Sequence, residues 1–414
     1  MNMSANLHPA NGPRFLLYSH DGMGLGHTRR NLAIAAALVE LCPRASVILA
    51  SGTDDAHRLG LPPRVEVLKL PGLRKAANDD YQSRRLLVHT DDIRDLRACL
   101  LEAAVKSFRP DVVLVDKHPF GARGEFRAGL QALKEQGGRV VLGLRDILDE
   151  PSVVRREWAE HQLQDRIAEF HDRIFIYGDR SVFDPIAEYG LPESVEQRAV
   201  FCGYVVNRDQ AEDSTEFPPA FLSPNRHTPV VLATTGGGED GFALLKNFIA
   251  AAAGAPWQGV AIAGPMTPDR ELGVLRAMAA QTKVILHTFI PRMPTLFDSI
   301  DAIVCMGGYN TLIEAAFHGV PAVCVPRVNP RSEQLIRAQA FDRLGILHLL
   351  HPDEMNPESL EASIRATLHM PRAMVRDLVG ATLSFEGAQN AALELAALAS
   401  GSALTREPAI ATVP

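Results

Sequence analysis

The chain has 414 residues, 46% hydrophobic and 22% charged, with a formal net charge of -7. This length is too great for one ordinary core and suits two domains of roughly 200 residues each. The acidic balance excludes nucleic acid as the main partner, because a phosphate backbone needs a basic footprint.

Cys42, Cys99, Cys202, Cys305 and Cys324 are odd in number, without a C-x-x-C, and no histidine cluster has ligand spacing. Neither a disulfide framework nor a metal site is therefore expected, and a reducing cytoplasm is the natural home. Residues 1–13 lack an apolar signal core and no later stretch offers about 18 uninterrupted apolar residues, so neither export nor a membrane span is expected. The basic pairs Arg29-Arg30, Arg74-Lys75 and Arg84-Arg85 read first as solvated surface and second as anion contacts.

Taken in chain order, apolar runs at Phe15 to Ser19, Val47 to Ala50, Val65 to Leu70, Val112 to Val115, Val140 to Leu144 and Ile174 to Tyr177 alternate with helix-period segments. Strands buried on both faces and separated by helices predict a parallel sheet with crossover helices. From Asn207 to Pro229 the chain carries four prolines and no periodicity, which reads as an interdomain connection. Strands are expected again at Val230 to Ala233, Gly259 to Ala263, Val284 to Thr288, Ala302 to Cys305 and Ala322 to Val325. Past Pro371 the chain reads as helical and Ala-rich to about Ala399, with a disordered tail over 400–414. The expected plan is a domain over 1–206, a linker over 207–229, a second domain over 230–375, a helical segment over 376–399 and the tail.

Ligands of an open parallel sheet sit in the loops after the strands. The first such loop, Ser19 to His27, holds Gly22, Gly24 and Gly26 in G-x-G-x-G spacing, which misses the G-x-G-x-x-G of dinucleotide binders. His27 opens the next helix, where the helix N-terminus keeps an imidazole neutral and fit for general-base work. A second loop carries Gly236, Gly237 and Gly238, whose missing side chains allow close approach to a ligand. The third runs Cys305-Met306-Gly307-Gly308-Tyr309-Asn310-Thr311 into a helix opening at Asn310 or Thr311, the arrangement of a diphosphate pocket. Glu314, one turn on, suits a ribose diol, and Glu333-Gln334 suit sugar hydroxyls. Asp116 and His118 end another buried strand and face the same cleft, His118 as a competing base and Asp116 as a group that orients a histidine. Arg145-Asp146 read as a ligand pair or as a structural salt bridge.

Four segments carry a resemblance: G-L-G-H-T-R-R-N-L-A-I-A-A-A-L at 24–38, G-G-G-E-D-G at 236–241, H-T-F-I-P-R-M-P at 287–294 and M-G-G-Y-N-T-L-I-E-A-A-F-H-G-V-P at 306–321. The chain resembles the GT-B glycosyltransferases of the MurG-like group, family 28. That implies an α/β fold of two Rossmann-like, doubly wound parallel-sheet domains facing a cleft, with a C-terminal helix crossing back onto the first domain. It also implies transfer of a sugar from a nucleotide-sugar, with UDP as carrier, to a hydroxyl acceptor.

By the same resemblance His27 is the acceptor-side base, and Gly24, Gly26 and Arg29 belong to the acceptor loop. Phe289 and Ile290 pack on the nucleobase. Gly307, Gly308, Asn310 and Thr311 hold the phosphates, Glu314 takes the ribose and Glu333 with Gln334 the donor sugar. Met306 stands where relatives place a basic residue, which moves charge neutralisation to Arg292 or Arg327. No D-x-D occurs, so no metal and no cofactor beyond the nucleotide-sugar substrate are expected. The Leu and Arg/Lys mix of Gly72 to Arg85 tolerates contact with an anionic membrane surface. Two other classes stay open: a nucleotide-sugar 2-epimerase of the same plan, and a nicotinamide oxidoreductase using Gly22 to Gly26 with Asp54 or Asp55.

Overall fold

The computed structural model describes residues 12–20, 26–53, 60–77, 80–206, 227–290 and 293–401. The first half holds β1 (Arg14–Tyr18), β2 (Ser46–Ser51), β3 (Val65–Lys69), β4 (Leu73–Ala77), β5 (Asp80–Ser83), β6 (Val112–Asp116), β7 (Arg139–Arg145), β8 (Arg173–Tyr177) and β9 (Ala199–Phe201). The second holds β10 (Val230–Thr234), β11 (Gln258–Ile262), β12 (Ile285–His287), β13 (Ala302–Cys305), β14 (Ala322–Cys324) and β15 (His348–Leu349).

Phe15, Leu16, Leu17 and Tyr18 of β1 are all fully buried, so this strand needs cover on both faces and takes a central place in a parallel sheet. Seven strands pair in the order β3-β2-β1-β6-β7-β8-β9 and six in the order β12-β11-β10-β13-β14-β15. Every strand pair in these two sheets is parallel. Chain order reverses between β1 and β6 in one sheet and between β10 and β13 in the other. Loops leaving two strands at such a reversal run to opposite faces and open a crevice between them.

Strands expected from the apolar runs end within one residue of the observed ones. The short β9 and β15 and the antiparallel β4–β5 hairpin are additions, since strands of two or three residues and polar strands carry no readable period. The chain leaves the first sheet through Tyr204 and comes back beside it. Tyr204 donates its N–H to the Ser384 carbonyl at 2.7 Å, and Gly387 donates to the Tyr204 carbonyl at 3.1 Å. A Cβ on Gly387 would lie 2.5 Å from the Gly203 carbonyl oxygen, so only glycine permits this approach. The last helix (Gly387–Ser400) then lies on the first helix (Gly26–Leu41), small residues such as Ala33, Ala391 and Ala392 letting the two backbones close up. The expected linker over 207–229 and the expected disordered tail over 400–414 lie mostly outside the described residues, at 207–226 and 402–414.

Candidate functional site

Both reversal points face the same crevice. On the first-half side, the loop after β1 delivers His27 in the first turn of helix Gly26–Leu41, and β6 ends on Asp116. His27 Nδ1 lies 2.5 Å from Asp116 Oδ2. Arg30 places Nη2 at 2.8 and 2.9 Å from the two oxygens of the same carboxylate. An ionised carboxylate only accepts, so Nδ1 carries the imidazole proton and Nε2 presents its lone pair.

Burial drives the His27 pKa down to about 4, outweighing the upward pull of Asp116, while Arg30 and Arg145 lower it further. Burial would raise the Asp116 carboxyl, but Arg30 first and His27 second hold it well below the usual carboxylate range. The result is a neutral, oriented base on an anionic support. The His27 side chain keeps 19% of its surface exposed while that of Asp116 has none, so the base alone reaches the crevice. Lys117, just after Asp116, sits at φ +71°, a strained value that turns the chain sharply at the strand end. His118 stands apart from the His27–Asp116 pair. Its ring stacks edge-on against His20 at 4.4 Å, and the Asp116 carboxylate is held by His27 and Arg30 instead.

On the second-half side, β13 runs into Gly307 at φ +76°, where a Cβ would meet Cys324 Sγ at 2.9 Å. Gly308 is the N-cap of helix Tyr309–Phe317, without any side-chain cap, and a Cβ there would meet nothing within 4 Å. Open space in front of uncapped N–H groups at a helix N-terminus is a site for an anion. The helix begins one residue earlier than the expected Asn310. Gly26 and Asn310 bring the two halves into contact, since a Cβ on Gly26 would fall 2.7 Å from Asn310 Nδ2.

Glu314 is 8% exposed, and its Oε2 has no hydrogen-bond partner. Burial raises its pKa to about 7 against a small opposing pull from Arg29, which stands partly exposed on the facing helix. Such a carboxylate suits a pair of hydroxyl donors. Glu333 is buried with one oxygen on Arg327 at 2.7 Å, and its Oε2 has no partner. Gln334 accepts the Arg327 N–H at 3.0 Å. Phe289 is 46% exposed and Ile290 is buried, so the pair offers one surface ring on an anchored backbone. Thr311 is partly exposed in the first turn of the Gly308 helix.

Several expectations change. Gly238, at φ +97°, packs against Ala263 and Thr267, and a Cβ on Gly237 would strike Met266, whereas Gly236 faces open space. Loop packing therefore requires glycine at 238, while at 237 a side chain would meet only the movable end of Met266. Arg327 is bound by Glu333 and by Asp240 at 3.1 Å, so its charge is already compensated. Met306 belongs to the apolar cluster around Val304 and Val325. Arg145 and Asp146 do not pair. Asp146 instead receives Arg337 at 2.7 and 2.9 Å, a buried bidentate bridge between the two halves. Arg337 also donates to the Gly307 carbonyl at 3.1 Å, fixing the glycine turn against the first half.

Arg30, read as solvated surface, is 3% exposed and stacks on Tyr177 at 5.0 Å and Tyr309 at 5.5 Å. Its signal was its place one turn after His27. Gly24 of the acceptor loop, Arg292, Asp54 and Asp55 lie outside the described residues. Among the described residues no group of three His, Cys, Asp or Glu side chains could hold a metal ion, and no helix is long and apolar enough to cross a membrane.

Residues 260–381 match the glycosyltransferase family 28 C-terminal domain. The fold is GT-B, with a family 28-like second half. The UDP-N-acetylglucosamine--N-acetylmuramyl-(pentapeptide) pyrophosphoryl-undecaprenol N-acetylglucosamine transferase of Streptomyces coelicolor is 28% identical over 192 residues, covering 44% of this chain and 51% of that protein. The chain thus matches about half the length of this curated relative. Among solved GT-B structures, MurG from Acinetobacter baumannii is 16% identical at a TM-score of 0.55, covering 94% of this chain and 99% of the other. A UDP-glucosyltransferase from Polygonum tinctorium is 15% identical at a TM-score of 0.66 with the same coverage.

Proposed function

We propose that this protein transfers a sugar from a nucleoside-diphosphate sugar, with UDP as carrier, to a hydroxyl acceptor by direct displacement and without a metal. The observation that carries this reading is the placement of the His27–Asp116 pair opposite the uncapped glycine turn at Gly307–Gly308, with Gly26 in contact range of Asn310. A nucleoside-diphosphate sugar with its diphosphate on the turn would place the sugar's anomeric carbon between leaving group and base.

His27 Nε2 takes the acceptor's hydroxyl proton as the oxygen attacks the anomeric carbon. The bond from that carbon to the β-phosphate oxygen breaks, and its electron pair leaves with the nucleotide. Asp116 holds the ring and stabilises the imidazolium that forms. The helix N-terminus at Gly308 offsets charge on the leaving group, a preorganised device worth several kcal/mol. One displacement inverts the anomeric centre. The carrier assignment draws on the relatives, one of which is named for UDP-N-acetylglucosamine and one for UDP-glucose transfer.

The acceptor side carries a second feature. Leu86, Leu87 and Val88 are exposed large apolar residues that directly follow the exposed Arg84 and Arg85. Apolar side chains beside cations fit peripheral contact with an anionic membrane surface.

The deciding experiment is a thermal-shift screen of UDP, GDP, dTDP and ADP on wild type and on Glu314→Ala. UDP should stabilise the wild type and lose most of that effect in the variant. A response indifferent to Glu314 would count against the site. Incubation with UDP-N-acetylglucosamine and no acceptor separates an epimerase, which would release an epimer.

A further inference from the structure

The arginines of the crevice are not evenly paired with its carboxylates. Among the described residues, Arg30 is bound by Asp116, Arg327 by Glu333 and Asp240, and Arg337 by Asp146. Arg29 faces the buried carboxylate of Glu314. Unlike Arg30, Arg327 and Arg337, Arg145 has no ion pair among the described residues. It ends β7, the strand beside β6, so it stands one strand over from Asp116 and the base it supports. Its Nε is buried and has no hydrogen-bond partner, and among the described residues no carboxylate lies within ion-pair distance of it. Burial, and after it the like charge of Arg337 and then of Arg30, pull its pKa below the usual arginine value, while Glu333 pulls the other way.

A half-sheltered guanidinium beside other cations and without an ion-pair partner costs stability, and an anionic ligand would offset that cost. Its surroundings say which ligand. Arg337, one of its neighbours, holds the Gly307 carbonyl of the glycine turn. Glu333, another neighbour, opens the helix assigned to the donor sugar and keeps Oε2 without a partner. His27, on the other side, feels the Arg145 charge. Arg145 ends the strand beside the one that carries Asp116, and the next residue, Asp146, is bridged to the Arg337 that holds the glycine turn, so Arg145 is placed between the base and the turn. Among the described residues of the second half, Met306 is packed among apolar side chains, and Arg327 and Arg337 are already paired with carboxylates.

We propose that Arg145, contributed by the first half, is the cation that compensates the β-phosphate of the departing nucleoside diphosphate. This rests on the nucleotide-sugar reading above. As the anomeric bond breaks, its electron pair goes to the β-phosphate oxygen, and Arg145 meets that charge from across the crevice. The leaving group is then held by backbone from one half and by a side chain from the other.

The test is calorimetric titration of the full chain with UDP and with UMP, for wild type, Arg145→Gln and Arg145→Lys. Arg145→Gln should weaken UDP about tenfold or more, the scale of a charge-assisted hydrogen bond, and leave UMP nearly unchanged. Arg145→Lys should recover part of the loss, because the charge returns without the planar fork. Tm of Arg145→Gln should hold or rise, since the substitution relieves repulsion from Arg30 and Arg337. Equal weakening of UDP and UMP would overturn the proposal, as would unchanged UDP affinity, including the case where only the acceptor KM rises. A wild type that binds no nucleoside diphosphate would instead sink the parent reading, and this one with it.

Discussion

The two halves share an architecture and prepare their sites in opposite ways. Around the base, in the first half, the groups are already satisfied: His27, Asp116 and Arg30 form a closed set in which every charge has a partner. In the second they are left incomplete, with Gly308 uncapped and Glu314 Oε2 and Glu333 Oε2 without partners. A base must be oriented before the substrate arrives, whereas a binding surface gains most when its polar groups are completed by the ligand alone.

Breaking the satisfied side should have the largest effect. His27→Ala is expected to lower kcat by about 10³ to 10⁴, the range for loss of a general base, while UDP affinity measured by calorimetry stays within a factor of about two. Next comes Asp116→Asn, which misorients the ring and leaves Arg30 buried without its counter-ion. A fall in kcat of about 10² or more is expected, with a stability loss of about 3 to 5 kcal/mol in urea titration. Unchanged stability would mean that Arg30 does not depend on Asp116.

The incomplete side should respond with the opposite sign in stability. The Glu314 pKa is raised from 4.5 to about 7 in the fold, so its contribution is neutral below 4.5 and grows destabilising as pH climbs to about 7, levelling above that. Glu314→Gln should therefore raise stability at pH 8, by up to about 3 kcal/mol, while weakening UDP about tenfold. In the wild type, UDP should bind more tightly at pH 8 than at pH 6, because ribose hydroxyls donate to the ionised form.

The pH profile of kcat separates the halves again. With the base held at about 4, saturated turnover should stay level from pH 8 to 5 and fall only toward pH 4. An acid limb near 6.5 would place the base elsewhere. The smallest effect is expected from Leu87→Glu, which should reduce sedimentation with anionic vesicles and leave turnover of a soluble acceptor unchanged.

The same contrast governs what could be read from the sequence. The strands were legible because apolar runs such as Val112 to Val115 admit no other placement, and the glycine turn was legible because Gly307 and Gly308 are adjacent. Pairings across the crevice were not. Arg337 and Asp146 lie 191 positions apart, and nothing local distinguishes this arginine from a surface one. Arg145 and Asp146 invited pairing by adjacency, yet neighbours at a strand end point to opposite faces, which frees one for Arg337 and leaves the other in the crevice. Arg30 was hidden by ordinary helix composition. Gly238 looked like ligand space and is contact space, because a glycine reads the same whether a phosphate or another loop excludes its side chain.

The chain passes between the halves at two places that lie side by side, Tyr204 against Ser384 and Gly387. Two adjacent crossings, hydrogen-bonded to each other, act mechanically as a hinge pin. They leave rotation about one local axis easy and make sliding or twisting of the halves costly. Any closure over a substrate would then carry Gly307 and His27 along one arc and return them to the same register at each turnover.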